Sequence, residues 1–205
     1  MQITLNNTGK RYNREWIFRH IDYTFSATKK YAITGANGSG KSTLLQVIAG
    51  ATLHNEGTIS FTPINNSTPV VPENMYKHIS IAAPYLELIE EMTAEEFLQF
   101  HHALKPLQLS IAQIIQTVQL QAAAHKQIRY YSSGMKQRLK LAQAFFSPSQ
   151  ILLLDEPTTN LDAAGIKLYQ HLMTNHTQQK LVIISSNDVQ EYECCDAVIA
   201  IGDYK

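Results

Sequence analysis

The sequence is short of cysteine, of net charge and of long apolar runs, and each shortage removes a class of protein. Its two cysteines are adjacent, Cys194 and Cys195. No bridge between them can staple distant segments, and buried thiols in a reducing compartment are the expected state. Lysine and arginine total 17, aspartate and glutamate also 17, so the formal charge is zero. That balance speaks against nucleic-acid binding driven by overall charge. The longest apolar runs, 151–154 and 197–201, fall far below the about 20 residues that a membrane-spanning helix takes. The opening residues MQITLNNTGKRY hold no apolar stretch of the kind found in a secretory signal. What remains is 205 residues, 44% hydrophobic and 17% charged. Such a chain is globular and long enough for one domain, or one domain carrying a subdomain, to bury its own core.

Patterning divides that length. β-branched and aromatic residues between turn formers predict short strands at 2–5, 22–25, 30–34 and 58–61. A helix is predicted from Lys41 to about Ala49, closed by Gly50. The polar run NNSTPVVPEN at 65–74 reads as a surface loop. From about 88 to 147 the period becomes helical. Thr93 and Glu96 have the spacing of a capping box, and Phe97, Phe100 and Leu104 recur as expected core positions. Further helices are predicted at 110–118 and 134–146. Strands at 151–154, 181–185 and 197–201 then alternate with helices near 163–176 and 188–193. Alternation of this kind builds right-handed βαβ units and a parallel sheet. The expectation is an α/β fold with a helical insertion at 88–147 between core segments 1–87 and 148–205.

Two motifs carry chemistry. Gly35, Ala36, Asn37, Gly38, Ser39, Gly40, Lys41 and Ser42, followed by Thr43, fit G-x-x-x-x-G-K-[ST] after a strand and at the start of a helix. Glycines let backbone N–H groups turn inward around phosphate oxygens, and the helix N-terminus adds partial positive charge. Lys41 would reach the β- and γ-phosphates of a nucleotide, and the Ser42 hydroxyl would ligate Mg²⁺. The second motif is the apolar run 151–154 ending in Asp155 and Glu156. An all-apolar strand belongs inside a parallel sheet, whose C-terminal edge receives ligands. Strand alternation would aim Asp155 at the Mg²⁺ shell and Glu156 at an attacking water, as general base. A solvated turn after a buried strand is the plain alternative for Asp155 and Glu156, and it is their pairing with the phosphate loop in one chain that gives the motif its weight.

Tyr131, Ser132, Ser133, Gly134, Met135, Lys136, Gln137 and Arg138, shortly before ILLLDEPTTNLD, resemble the signature motif of ABC-type ATPases. The resemblance covers almost the whole chain. It implies a phosphate-loop ATPase core with a mixed or parallel sheet, an N-terminal antiparallel β subdomain and an inserted helical subdomain. It also implies ATP with Mg²⁺, and two copies meeting head to tail. Ser132 and Gly134 of one copy would cap the γ-phosphate held by the other, and Asp162 would link the two sites. Tyr12 stands where the family keeps an aromatic that stacks on adenine, although a packing role is the alternative. The chain would act at the cytoplasmic face of a membrane through a separate permease, docked near 84–92, with no nucleic acid involved. A weakly hydrolysing ATP switch of the same superfamily is the rival reading.

Two positions depart from the family. Asn187 replaces a histidine that contacts the γ-phosphate; its amide can donate a hydrogen bond but holds no charge near neutral pH. No glutamine occurs among Ala82, Ala83, Pro84 and Tyr85, where the family has one. Slow hydrolysis driven by Glu156, and harmless variation within the family, both accommodate these changes. Other features point to packing or solvation. His101 and His102, adjacent on a helix, are poorly arranged for one metal. The pairs Lys10–Arg11 and Lys29–Lys30 read as solvated turns, and Trp16 as packing.

Overall fold

The computed structural model describes residues 1–64 and 68–205. Asn65, Asn66 and Ser67, part of the expected loop at 65–74, lie outside the described residues. Two sheets organise the chain. The first is a three-stranded antiparallel sheet of order β2-β1-β4, from β1 (Gln2–Tyr12), β2 (Glu15–Phe25) and β4 (Glu56–Thr62). These strands run well past the short segments read from the sequence. Only one face of this sheet is covered, by Ile3, Leu5, Phe18, Ile21 and Phe25, so polar residues continue the strands on the open face. Register shifts after Leu5 and Thr8 absorb the polar middle of β1. Trp16, on the open side, has the guanidinium of Arg19 4.4 Å from its ring centroid.

The second sheet is parallel throughout, of order β5-β6-β7-β3-β8. Its strands are β3 (Lys30–Thr34), β5 (Ile79–Ala82), β6 (Ile151–Asp155), β7 (Leu181–Ser185) and β8 (Ala197–Ala200). Strands β6 and β7 are buried on both faces, and alternation sorts their side chains. Leu152, Leu154, Val182 and Ile184 join a core shared with the helices of residues 94–146 and with α5 (Ala163–Asn175). Ile151, Leu153, Leu181 and Ile183 face the opposite core, with α1 (Lys41–Ile48) and the antiparallel sheet. By the same alternation Asp155 and Ser185 lie on the α1 side.

Between β5 and β6 come α2 (Ala94–Leu104), α3 (Ile111–Thr117) and α4 (Ser133–Phe146). Thr93 and Glu96 form a capping box, as do Ser110 and Gln113. The core expected on α2 needs correction. Phe97 is buried, but Phe100 and Leu104 are 47% and 73% exposed. The buried stripe runs through Ala94, Phe97 and Leu98 to His101, whose Nε2 lies 3.0 Å from Ser147 Oγ. Phe97 sits at the edge of that stripe, and the other two residues fall beyond it. The expectation of buried thiols also fails. Cys194 is exposed and Cys195 half-buried, both free, in the turn between α6 (Val189–Tyr192) and β8. Among the described residues no helix is long and apolar enough to cross a membrane.

Two lysines hold the joints. Lys105 Nζ donates to Ile79 O at 2.6 Å, tying the end of α2 to β5. Lys180, 5% exposed, donates to Phe145 O at 2.9 Å and Ser147 O at 2.7 Å. It thereby satisfies main-chain acceptors at the end of α4, just ahead of β7. Burial, then the charge of Lys105, brings the Lys180 ammonium down to about 8 from an ordinary 10.5. Between those values the unfolded chain holds the extra proton, so this group's contribution to stability rises as pH climbs through that window. Lys180→Met leaves two acceptors unpaired, and denaturation at pH 7 should show a loss of about 1–3 kcal/mol. The gap between wild type and Lys180→Met should widen when the measurement is repeated at about pH 10.

Candidate functional site

The phosphate loop leaves β3 and enters α1 through glycines that the backbone demands. Gly38 and Gly40 have φ of 75° and 107°. A Cβ on Gly40 would also stand 2.5 Å from Ile17 Cγ2, so β2 packs directly against the loop. Gly40 is the N-cap of α1 and no side chain caps that end, which leaves the first N–H groups of the helix available to an anion. Lys41 is buried beneath the loop, with Nζ donating to Gly35 O at 2.7 Å and Ala36 O at 3.3 Å. A cavity of about 210 Å³ is lined by Ile17, residues 37–43 and Glu156. The structure thus brings Asn37, Gly38, Ser39, Gly40, Lys41, Ser42 and Thr43 together with the carboxylate of the second motif, while Gly35 and Ala36 lie beneath as acceptors for Lys41.

Asp155 ends β6 on the α1 side and is 2% exposed. Its Oδ1 is buried without a hydrogen-bond partner. A buried carboxylate oxygen left unpaired on the α1 side has the chemistry to fit a cation such as Mg²⁺. Glu156 reaches its place by a different route from simple strand alternation. Its φ is 43°, a left-handed conformation immediately beyond the strand, and its N–H donates to Ser185 O at 2.9 Å. The left-handed turn is what swings the side chain into the phosphate cavity. At the position lacking a glutamine, Tyr85 stands nearby. Burial and then the Asp155 carboxylate raise its phenol, against a hydrogen bond with Gln46 of α1.

The signature segment lies elsewhere, against the far side of the Glu156 turn. Ser132 caps α4, its Oγ accepting from Met135 N at 3.3 Å. Gly134 lets the helix approach the main chain, since a Cβ there would be 2.9 Å from Asn160 O. Gln137, 4% exposed, donates through Nε2 to Pro157 O at 2.7 Å. Arg138 Nη2 donates to Asp162 Oδ1 at 3.1 Å, and the same oxygen accepts from Gly165 N at 2.8 Å, capping α5. That backbone bond first, and Arg138 with it, hold the Asp162 carboxyl below its ordinary range. Ser132, Gly134 and Asp162 therefore belong to a surface separate from their own chain's phosphate cavity.

Asn187 does meet the loop. Its Oδ1 accepts the Gly35 N–H at 3.1 Å, and its Nδ2 lies 3.3 Å from Asn37 Oδ1. Tyr12 ends β1 at the hairpin tip, 48% exposed, outside the residues lining the cavity, with Lys10 Nζ 4.7 Å from its ring centroid. Two residues of the site have tasks that the sequence did not assign: Gln137, quoted only as part of the 131–138 run, and Glu191. Gln137 was legible in principle, as a polar residue on the buried stripe of α4 that also holds Leu141 and Ala144. Glu191, whose carboxylate accepts from Thr158, gave no such signal, because its partner comes from a distant segment.

The fold has counterparts among known proteins. A family model described as ABC transporter matches residues 18–159. The Bacillus subtilis "Uncharacterized ABC transporter ATP-binding protein YxlF" is 31% identical over 203 residues, covering 96% of this chain and 66% of YxlF. The Brucella abortus "Cytochrome c biogenesis ATP-binding export protein CcmA" is 30% identical over 190 residues, covering 92% of this chain and 86% of its own. Among solved structures, a putative ABC transporter ATP-binding protein from Pyrococcus furiosus superposes over the full length of both chains, with a TM-score of 0.84 at 20% identity. A dimeric cassette, MJ0796 bound to ADP and Pi, superposes with a TM-score of 0.81 at 22% identity, covering 97% of this chain and 93% of that one. At those identities the structural likeness establishes the fold.

Gly40→Ala tests the loop geometry. A side chain at φ 107° costs on the order of 1–2 kcal/mol before the clash with Ile17. Titration with a fluorescent ATP analogue should show affinity reduced at least about tenfold, since 1.4 kcal/mol is one decade.

Proposed function

The chain belongs to the ABC transporter family, and from that premise we propose that it is the subunit that hydrolyses ATP to power a separate permease. The observation that carries the reading is the pair of carboxylates at the end of β6. Asp155 keeps an unpaired oxygen on the α1 side, and Glu156 lines the phosphate cavity. Backbone N–H groups of the loop and Lys41 would bind the β- and γ-phosphates. Lys41 would exchange its bonds to Gly35 O and Ala36 O for phosphate oxygens. Ser42 and Asp155 would hold Mg²⁺, which when bound neutralises developing phosphate charge. Glu156 orients a water and accepts its proton. Tyr12, at the hairpin tip, would stack on the base.

A second copy, head to tail, would bring its Ser132 and Gly134 helix start to the γ-phosphate. Two features support this. These residues are accessible on a face apart from their own phosphate cavity, and the structural neighbours include dimeric cassettes. For the permease, a groove of about 500 Å³ lies between 84–91 and α4, lined by Pro84, Leu86, Leu88 and the charged Glu87, Glu90, Glu91, Lys136 and Lys140. Lys140 Nζ donates to Pro84 O at 2.9 Å, and Lys136 pairs with Glu90. A segment seated there would bear on α4 and through it on the signature residues. This reading places the chain at the cytoplasmic face of the membrane.

The rival, a switch that closes on ATP and hydrolyses little, is favoured by one observation: Asn187 is engaged with Gly35 and Asn37 and bears no titratable group. Steady-state assays of phosphate release separate the two. Wild type should turn over, Glu156→Gln should lose about two orders of magnitude or more while still binding ATP, and Asn187→His should exceed wild type. An unchanged rate in Glu156→Gln would sink the hydrolytic mechanism. Wild-type protein releasing no phosphate over about ten minutes of single turnover would favour the switch.

A further inference from the structure

Glu191 is a buried carboxyl that the hydrolytic reading leaves without a task. It sits on the short α6, four residues after Asn187, and is 3% exposed. Its Oε1 accepts from Thr158 N at 2.7 Å and from Thr158 Oγ1 at 2.5 Å. Its Oε2 is buried with no hydrogen bond. Burial raises this carboxyl above its ordinary range, Ser186 and Thr158 oppose through hydrogen bonds, and Asp188 adds to the rise. Its own main chain is pinned as well, for its carbonyl accepts the hydroxyl of buried Tyr169 on α5 at 2.7 Å. A leucine would fill this space without an unpaired oxygen, so packing alone does not account for a carboxyl here.

What the carboxyl holds is the most strained stretch near the site. Glu156 and Asn160 have φ of 43° and 67°. Two left-handed residues that are not glycine persist within five positions only where the surroundings over-determine them. Pro157 is held by Gln137 from α4, Glu156 by Ser185 O, and Thr158 by Glu191. The second and third ties both come from the segment that also carries Asn187, the second through the main chain of Ser185, two residues before it, and the third through the Glu191 side chain, four residues after it.

We propose that Glu191 is the positioning residue that fixes the Glu156 turn to the Asn187 segment, so that a γ-phosphate contact at Asn187 and the aim of Glu156 move as one unit. The proposal rests on the ATPase reading for its catalytic consequence, but the tie itself can be read without nucleotide. In Glu191→Ala, kcat should fall about tenfold while KM for MgATP stays within about twofold, because the phosphate loop is untouched. Glu191→Gln keeps an acceptor for Thr158 and should recover most of that loss. Hydrogen exchange in nucleotide-free protein should be about tenfold faster over residues 156–162 in Glu191→Ala, and near wild type in Glu191→Gln. Unchanged exchange and unchanged kcat in Glu191→Ala overturn the proposal. So does a parallel loss of nucleotide affinity, or a Glu191→Gln protein as impaired as the alanine variant. If Glu191→Ala does not fold, Thr158→Val, which removes the hydroxyl donor alone, should lower kcat about threefold with KM unmoved; a wild-type kcat there overturns the proposal. Wild-type protein that fails to hydrolyse ATP would sink the ATPase reading, and the exchange measurement would still decide the tie.

Discussion

At the end of β6 the chain leaves a strand buried on both faces and must put two consecutive carboxylates to different uses. Strand alternation fixes the first, so that Asp155 shares the α1 side with Ile151 and Leu153. The second cannot be fixed that way, because a further extended residue would point into the core that Leu152 and Leu154 occupy. The backbone instead turns left-handed at Glu156. That conformation is costly for a residue with a Cβ, and the ties from Ser185, Gln137 and Glu191 offset it. The rest of the site is arranged around this turn, with the phosphate loop on one side and the start of α4 on the other.

The parts legible in the sequence were those whose chemistry is local. A phosphate loop announces itself because glycine, lysine and hydroxyl must occur at set spacings, and the structure places them on one strand–loop–helix unit. The capping box at Thr93 was similarly self-contained. The long β1–β2 hairpin was harder, since a sheet with one open face tolerates polar residues that read as loop. Phe100 and Leu104 misled because helical spacing identifies a stripe but not which edge of it meets the core. Glu191 and Gln137 were the least visible. Each satisfies a main-chain group from a remote part of the chain, and nothing in their immediate neighbours encodes that partner.

The helix α4 emerges as the member with the most obligations. Its first turns carry Ser132 and Gly134, its buried face reaches Pro157 through Gln137, and Arg138 reaches Asp162. Along its flank, Lys136 and Lys140 line the groove beside 84–91. A rigid element of this kind transmits displacement with little loss, because packed interiors do not deform continuously. The groove, the signature residues and the Glu156 turn are thereby connected by a single packed rod.

The close approach of Gly134 to Asn160 O has a genetic corollary under the head-to-tail arrangement. A larger residue at 134 would spare the carrier's own phosphate loop and spoil the composite pocket completed on its neighbour. In a cell making both versions, most assemblies would contain at least one such copy. Lesions at this contact would therefore behave as dominant, whereas loss of the whole chain would be recessive.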